Sequence, residues 1–206
     1  GDGDRLIAVD EKGRKLTGDQ ILLICARALK EEGRLKKNLL VSTVMSNLGL
    51  SKACVKYGID RHESPVGDRY VLKDMQRLGA VVGGEESGHI ILSEHHSTSD
   101  GIITALQILA VMLKEKKPLS ELSEMMDVYP QKLINVPVRE KPDIAAVPRL
   151  TEAIRQVDAE LGDEGRLLVR YSGTQNLCRV MVEAATMAMT EKYCRQIADQ
   201  VRKSLS

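Results

Sequence analysis

Phenylalanine and tryptophan are absent, and five tyrosines are the only aromatic residues of that class among 206. The cores must therefore be aliphatic, built from Leu, Ile, Val, Ala and Met. Stacking platforms for single-stranded nucleic acid need exposed aromatics, and this sequence has almost none to offer. A basic surplus is lacking too: 30 Lys and Arg stand against 29 Asp and Glu, a net charge of +1. Binders of a phosphate backbone carry a basic excess or stripe, so no nucleic-acid partner is expected. No apolar run approaches the ~20 residues of a membrane span, and no signal peptide opens the chain. No membrane partner is expected either. Cysteine is sparse: Cys25, Cys54, Cys178 and Cys194 are widely spaced and form no CxxC pair. That spacing favours buried reduced thiols over disulfides or zinc ligands, and with it a cytoplasmic location.

What is present is an ordinary globular balance, 43% hydrophobic and 29% charged, long enough for one large domain or two small ones. The opening Gly1-Asp2-Gly3-Asp4-Arg5 is a charged, glycine-rich turn without a methionine. It reads as a motif cut mid-way, so the chain is expected to be a piece of a longer protein.

The next elements alternate. Leu6 to Asp10 reads as a short strand turning at Glu11-Lys12-Gly13. Thr17-Gly18-Asp19-Gln20 has capping-box spacing ahead of an apolar helical run from Ile21 to Leu29, with a stop at Gly33. Leu39 to Met45 has strand character. A helix is expected over Leu48 to Tyr57, a strand near Ile59 to Glu63, a helix over Arg69 to Leu78 and a strand at Ala80 to Val82. A loop from Gly83 to Gly88 leads to a strand at His89 to Leu92. Asp100 begins the most regular helix, whose Ile102, Ile103, Leu106, Ile108, Leu109 and Leu113 form a broad apolar face. Strands alternating with helices argue for a layered α/β domain.

The pattern changes after Tyr129-Pro130. A strand at Leu133 to Val138, a helix from about Pro148 to Leu161, strands at Arg166 to Tyr171 and Leu177 to Ala184, and a closing helix from Thr190 make a β-α-β-β-α unit. This is a small α+β domain in its own right.

Chemistry concentrates in the loops. Asp2 and Asp4 offer hard oxygens at alternate positions in a turn, a donor set suited to Mg²⁺, with Arg5 beside them for a phosphate. A bare solvated turn is the competing reading. In Gly83-Gly84-Glu85-Glu86-Ser87-Gly88-His89, Glu85 and Ser87 are spaced to grip neighbouring sugar hydroxyls and His89 titrates near neutrality; a plain hairpin with a structural histidine fits as well. Arg170-Tyr171-Ser172-Gly173-Thr174 places a guanidinium, hydroxyls and a glycine amide where they can converge on one phosphate. The alternative is a polar hairpin with a surface arginine. Arg179 reads as a surface or strand-pairing residue. Gly67-Asp68-Arg69 opens a helix, where N–H groups favour anions, although Asp68 as a cap is an equal reading. His95 and His96 read as exposed loop histidines rather than metal ligands, and Asp100 as a helix cap.

In this order and spacing the loops resemble those of the α-D-phosphohexomutase superfamily, and within it the phosphoglucosamine mutase branch. Gly1 to Arg5 is similar to the metal loop, GDRYV (67–71) and GEESGH (84–89) to the loops of the third domain, and Arg170 to Thr174 to the phosphate loop of the fourth. Val44-Met45-Ser46-Asn47 and Asp100-Gly101-Ile102 also follow the branch. The resemblance implies that residues 1–12 end a preceding metal-loop domain. Residues 13–130 would be a sugar-recognition α/β domain, and residues 131–206 a phosphate-binding α+β domain of TATA-box-binding-protein-like type. It implies interconversion of glucosamine 6-phosphate and glucosamine 1-phosphate through a phosphoserine and a bisphosphate intermediate, toward UDP-N-acetylglucosamine and cell-wall precursors.

The implied roles are Mg²⁺ ligation by Asp2 and Asp4, a place beside the phosphoserine for Arg5, and sugar reading by Glu85 and Ser87. His89 would lie near the reacting oxygen, Gly67, Asp68 and Arg69 would contact substrate, and Arg170, Ser172, Gly173 and Thr174 would hold the phosphate not being transferred. The implied partners are a hexosamine phosphate and the protein's own N-terminal domains, which carry the serine, so the chain alone is expected to be inactive. Two departures stand out: the metal loop's first Asp would precede Gly1, and Gln175-Asn176 replaces the usual Glu-Pro, which removes a stiffening residue. A phosphomannomutase or phosphoglucomutase, a non-catalytic sugar-phosphate-binding module, and an interaction domain with structural loops are the competing readings.

Overall fold

The computed structural model describes residues 3–205, so Asp2 lies outside the described residues. The chain divides into two compact units, residues 1–128 and 129–206.

The first unit opens without a regular strand. Where a strand is expected from Leu6 to Asp10, the segment makes only isolated bridges, Arg5 with His89 and Val9 with Lys15. The reason is local: Asp10 Oδ1 accepts from the N–H groups of Lys12 (2.9 Å) and Arg14 (2.8 Å), turning the chain back before a ladder grows. Helix α1 (Gly18–Glu31) starts on a complete capping box between Thr17 and Gln20. Its Ile21, Leu22, Leu23, Ile24, Cys25 and Ala26 are fully buried.

Strand β1 (Leu39–Thr43), helix α2 (Leu48–Tyr57), strand β2 (Asp60–Ser64), helix α3 (Asp68–Leu78), strand β3 (Val82–Gly84) and strand β4 (Ile90–Leu92) follow in order. The sheet order is β2-β1-β3-β4. The first three strands are parallel, and β4 returns antiparallel to β3. Helix α2 stops at Gly58, which takes the left-handed conformation (φ 61°) a helix end demands. Val71 and Met75 of α3 pack with Val41 and Ile91 in one cluster, while α1 and α2 share a larger one with Leu40, Val82 and Ile90. Helices thus cover both faces of the sheet. Helix α4 (Gly101–Glu115), capped by Asp100 on the N–H groups of Ile102 and Ile103, and the short α5 (Leu119–Ser123) complete the unit.

The second unit is a three-stranded antiparallel sheet, order β5-β7-β6, from β5 (Gln131–Pro137), β6 (Gly165–Tyr171) and β7 (Leu177–Ala184). Helices α6 (Pro148–Leu161) and α7 (Met187–Leu205) cover one face. The alternate residues Cys178, Val180, Val182 and Ala184 of β7 are buried against Tyr193, Cys194, Ile197, Ala198 and Val201 of α7. An α/β layered unit followed by an α+β unit is the fold class expected from the pattern of elements.

Candidate functional site

In an open α/β sheet, ligand loops lie beyond the carboxyl ends of the parallel strands, at the point where strand order reverses. Here that point is the junction of β1 and β3, and three loops are bonded to one another around it. Glu85, directly after β3, is the connector. Its Oε1 accepts from the backbone N–H of Gly67 at 3.0 Å, tying the loop before α3 to the loop after β3. Its Oε2 lies 3.0 Å from His89 Nδ1, and Ser87 Oγ lies 3.1 Å from the same nitrogen. His89 Nε2 in turn meets Asp4 Oδ2 at 2.9 Å. The imidazole is thus bracketed by two carboxylates, one from each side. Arg5 Nε sits 3.6 Å from Asp4 Oδ1, which keeps the guanidinium beside this array.

The backbone explains why the loop has this shape. Glu85 N–H donates to His89 C=O and Gly88 N–H to Glu85 C=O, closing a tight turn. Gly88 has φ 98°, and a Cβ there would stand 2.5 Å from Leu6 C=O. Only glycine fits. Gly18, the first residue of α1, donates its N–H to Glu86 C=O at 2.9 Å, and a Cβ on it would lie 2.2 Å from Glu85 C=O. The N-terminus of α1 therefore buttresses the loop from behind. Asp19, the next residue, is fully buried and accepts from Asn47 N–H at 2.7 Å, fixing the loop after β1. Burial pushes its carboxyl up to about 6. The Asn47 N–H and the Ser46 hydroxyl oppose this, the Glu86 charge adds to it and Arg61 opposes it. The capping pattern around Thr17 gave no warning that Asp19 turns inward.

Several residues sit otherwise than expected. Glu85 is nearly buried, with both oxygens engaged by Gly67 and His89 rather than pointing out as a ready sugar grip. Asp68 is not the cap of α3: that position is Gly67, and Asp68 Oδ1 accepts instead from Arg69 N–H at 2.7 Å. The Arg69 guanidinium lies 4.7 Å above the Tyr70 ring and donates to its hydroxyl at 2.8 Å. His95 and His96, by contrast, are exposed as expected, and His96 Nδ1 pairs with Thr98 Oγ1 at 2.8 Å. For a metal, Asp4 supplies one hard oxygen donor, yet among the described residues no three His, Cys, Asp or Glu side chains are grouped to hold an ion. The described residues fit at most part of a metal site.

In the second unit the register of the β6–β7 hairpin decides the geometry. Arg170 stands directly opposite Arg179, which in turn is opposite Asn135 of β5. Two guanidiniums therefore share one face of the sheet, and the Arg179 Nε is buried without a hydrogen-bond partner. Partial burial, and then the charge of Arg179, lower the pKa of Arg170 from its ordinary value. Like charges directly opposite destabilise a sheet, so this register carries an electrostatic cost. Arg179 reads from sequence as a surface or pairing residue. As a strand-pairing residue it stands between Asn135 and Arg170 in the sheet.

The connecting loop is braced from inside. Ser172 is buried, its Oγ accepts from Gln175 N–H at 3.3 Å, and its C=O accepts from Lys141 Nζ at 2.9 Å. Val138 N–H donates to Asn176 C=O at 3.0 Å. Gly173 and Thr174 are exposed at the tip. Tyr171 points to the other face, packing against the helix-side core.

The model of the phosphoglucomutase/phosphomannomutase α/β/α domain III matches residues 17–129, and that of the family's C-terminal domain matches residues 133–200. The chain belongs to the phosphoglucomutase/phosphomannomutase family. Among curated relatives it is 64% identical over 205 residues to a phosphoglucosamine mutase of Syntrophobacter fumaroxidans, covering 100% of this chain and 46% of that protein. A phosphoglucosamine mutase of Syntrophus aciditrophicus is 59% identical over the same length and share. The chain thus spans about half the length of the curated relatives it matches. In fold it is similar to the N-acetylphosphoglucosamine mutase of Aspergillus fumigatus, with TM-score 0.83 and 23% identity over 98% of this chain and 47% of that one. A second structure of that enzyme, in complex with GlcNAc-6P and magnesium, matches with TM-score 0.80 and 22% identity over 98% of this chain and 50% of that one.

Proposed function

We propose that this chain is the sugar-recognition and phosphate-holding part of a phosphoglucosamine mutase, which interconverts glucosamine 6-phosphate and glucosamine 1-phosphate. The observation that carries the reading is the 64% identity to a phosphoglucosamine mutase across the whole chain, with the loop motifs of the first unit bonded into one array. The phosphoserine of the reaction then belongs to the part of the longer protein outside these residues, and the chain alone binds without turning over.

Phosphoryl transfer is chiefly positioning and charge stabilisation. In this reading Arg170 and Arg179, with the tip amides of Gly173 and Thr174, hold the phosphate that stays, and Ser172 shapes the loop. Ser87 and the loop of Gly67, Asp68 and Arg69 contact the sugar, and Glu85 keeps those two loops in register. His89, bonded to Glu85 at Nδ1 and to Asp4 at Nε2, lies close to the reacting hydroxyl and reaches it through Nε2 once Asp4 turns away, with Arg5 near the serine-borne phosphate. Asp2 and Asp4 would supply oxygen donors for Mg²⁺, and the ion would offset charge on the transferred phosphoryl group. Four free, buried cysteines favour a reducing compartment, the cytoplasm, and no described helix is long and apolar enough to cross a membrane.

Calorimetry with glucosamine 6-phosphate and mannose 6-phosphate tests the reading on this chain and on the longer protein. Loss of one charge-assisted contact, at ~1.5–3 kcal/mol, weakens binding by roughly 10- to 100-fold. Arg170→Ala and Arg179→Ala are each expected to show that loss, with glucosamine 6-phosphate the preferred ligand and turnover partner of the longer protein. Unchanged affinity in both variants removes the clamp, and preferred turnover of mannose 6-phosphate moves the protein to a sibling activity.

A further inference from the structure

The segment that follows β5 touches the loop between β6 and β7 at both of its feet. Lys141 Nζ donates to Ser172 C=O at 2.9 Å where the loop begins, and Val138 N–H donates to Asn176 C=O at 3.0 Å where it ends. Between these two points Arg139 N–H donates to Leu205 C=O at 3.0 Å, which moors the segment on the last turn of α7. The loop's own bonds also run inward. Ser172 N–H donates to Leu177 C=O (2.8 Å), Leu177 N–H to Gln175 C=O (2.8 Å) and Gln175 N–H to Ser172 Oγ (3.3 Å). Among the described residues the N–H groups of Gly173 and Thr174 have no partner, and both residues are exposed.

Lys141 sets which way these donors point. In a trans peptide the C=O and N–H of one unit point in opposite directions. Drawing Ser172 C=O toward the Lys141 ammonium therefore turns Gly173 N–H away from it, to the open side of the loop. Glycine at 173 agrees with this. Its φ lies outside the left-handed range, and a Cβ on it would meet nothing within 4 Å, so the packing of the described residues does not call for glycine there. Close approach of an anion to the amide does. A reversal of this one peptide unit would turn a carbonyl oxygen, and not a donor, toward the phosphate. Asn176 stands where a proline would stiffen the loop, which leaves the tether from Lys141 to hold the unit in one orientation. A loop ordered beforehand in its binding shape loses less entropy when the ligand arrives. The ammonium lies on the carbonyl side, so it acts through the loop and not by touching the anion.

We propose that Lys141 is a positioning residue of the phosphate loop: by anchoring Ser172 C=O it presents the Gly173 amide, with that of Thr174 beside it, to the phosphate being held. This role rests on the phosphate-holding reading given above to Arg170 and the loop.

The test is calorimetry with glucosamine 6-phosphate on the longer protein carrying Lys141→Met, which keeps the apolar stem and removes the donor, or Lys141→Arg, which restores a donor. Melting temperatures equal to wild type verify folding, and Lys141→Gln takes the place of Lys141→Met if that variant does not fold. Loss of the anchor is expected to weaken binding by roughly 3- to 10-fold, with Lys141→Arg within about twofold of wild type. The weakening is expected to persist at about 1 M salt, where the Debye length is about 3 Å and a charge acting at a distance is screened. Arg170→Ala runs alongside as the reference. If it weakens binding and Lys141→Met does not, Lys141 loses its role while the phosphate-holding reading stands. If neither weakens binding, that reading falls and the role of Lys141 falls with it. A loss that vanishes at high salt overturns positioning in favour of a direct charge effect on the ligand. A loss that Lys141→Arg fails to restore overturns it in favour of simple packing of the lysine stem.

Discussion

At the scale of single residues, the buried carboxyl of Asp19 has the clearest thermodynamic consequence. Its pKa is raised to about 6 from 3.8, with burial as the leading cause. The native state therefore keeps a proton that the unfolded chain releases first, and stability is greatest below the unfolded value and lost as pH climbs through the native one. A shift of this size corresponds to about 3 kcal/mol, spent between roughly pH 4 and pH 6. Asp19→Asn keeps an acceptor for Asn47 N–H without the charge. Urea unfolding of the first unit across this range is expected to lose most of its pH slope in the variant, with stability near pH 7 unchanged or higher. A slope identical to wild type would show that another group carries the titration. The paired guanidiniums of Arg170 and Arg179 belong to this scale too, since each is unremarkable until the other is placed opposite it.

At the scale of elements, the junction of α1 with the loop after β3 is a backbone-to-backbone contact with no side chain to give way. Gly18→Ala puts a methyl 2.2 Å from Glu85 C=O and 2.6 Å from Glu86 C=O, so the loop must move. Overpacking of this kind costs ~1–3 kcal/mol. The expected outcome is that cost in denaturant unfolding together with weakened glucosamine 6-phosphate binding, because Glu85 no longer reaches Gly67 N–H. Thr17→Ala is the useful contrast: losing the cap costs about 1 kcal/mol and leaves the loop, and therefore sugar-phosphate affinity, close to wild type. If both variants lower affinity equally, the loop responds to helix stability rather than to the contact at Gly18.

At the scale of the whole molecule, each unit has a core of its own. Residues 129–206 close a sheet against α6 and α7 around a cluster of fully buried Val136, Leu150, Val157, Val180, Val182 and Ile197. Expressed alone, this unit is expected to melt in one cooperative transition with an enthalpy of about 50 kcal/mol, scaled from its length. Calorimetry checks this, and a broad transition without a heat peak would mean that its core does not suffice.

The helices and most strands were legible in the chain because local physics marks them. The capping box at Thr17, the left-handed glycine at Gly58 and the cap at Asp100 each act within a few residues, and each recurs in the structure where the spacing puts it. The order of loop motifs was likewise enough to identify the family. Local pattern failed where a non-local contact decides. Glu85 reads from sequence as a grip for sugar hydroxyls, yet its carboxylate is engaged by His89 close by and by the N–H of Gly67 from the loop before α3. Asp19 looks like a first-turn helix acid but is buried against the loop at Ser46-Asn47. Which side of α4 faces the core was equally undecidable from its sequence, since apolar residues occupy both. Periodicity and capping thus determined the elements and their sequence, whereas strand order and register decided which charges meet, because those depend on residues brought together only by the folded sheet.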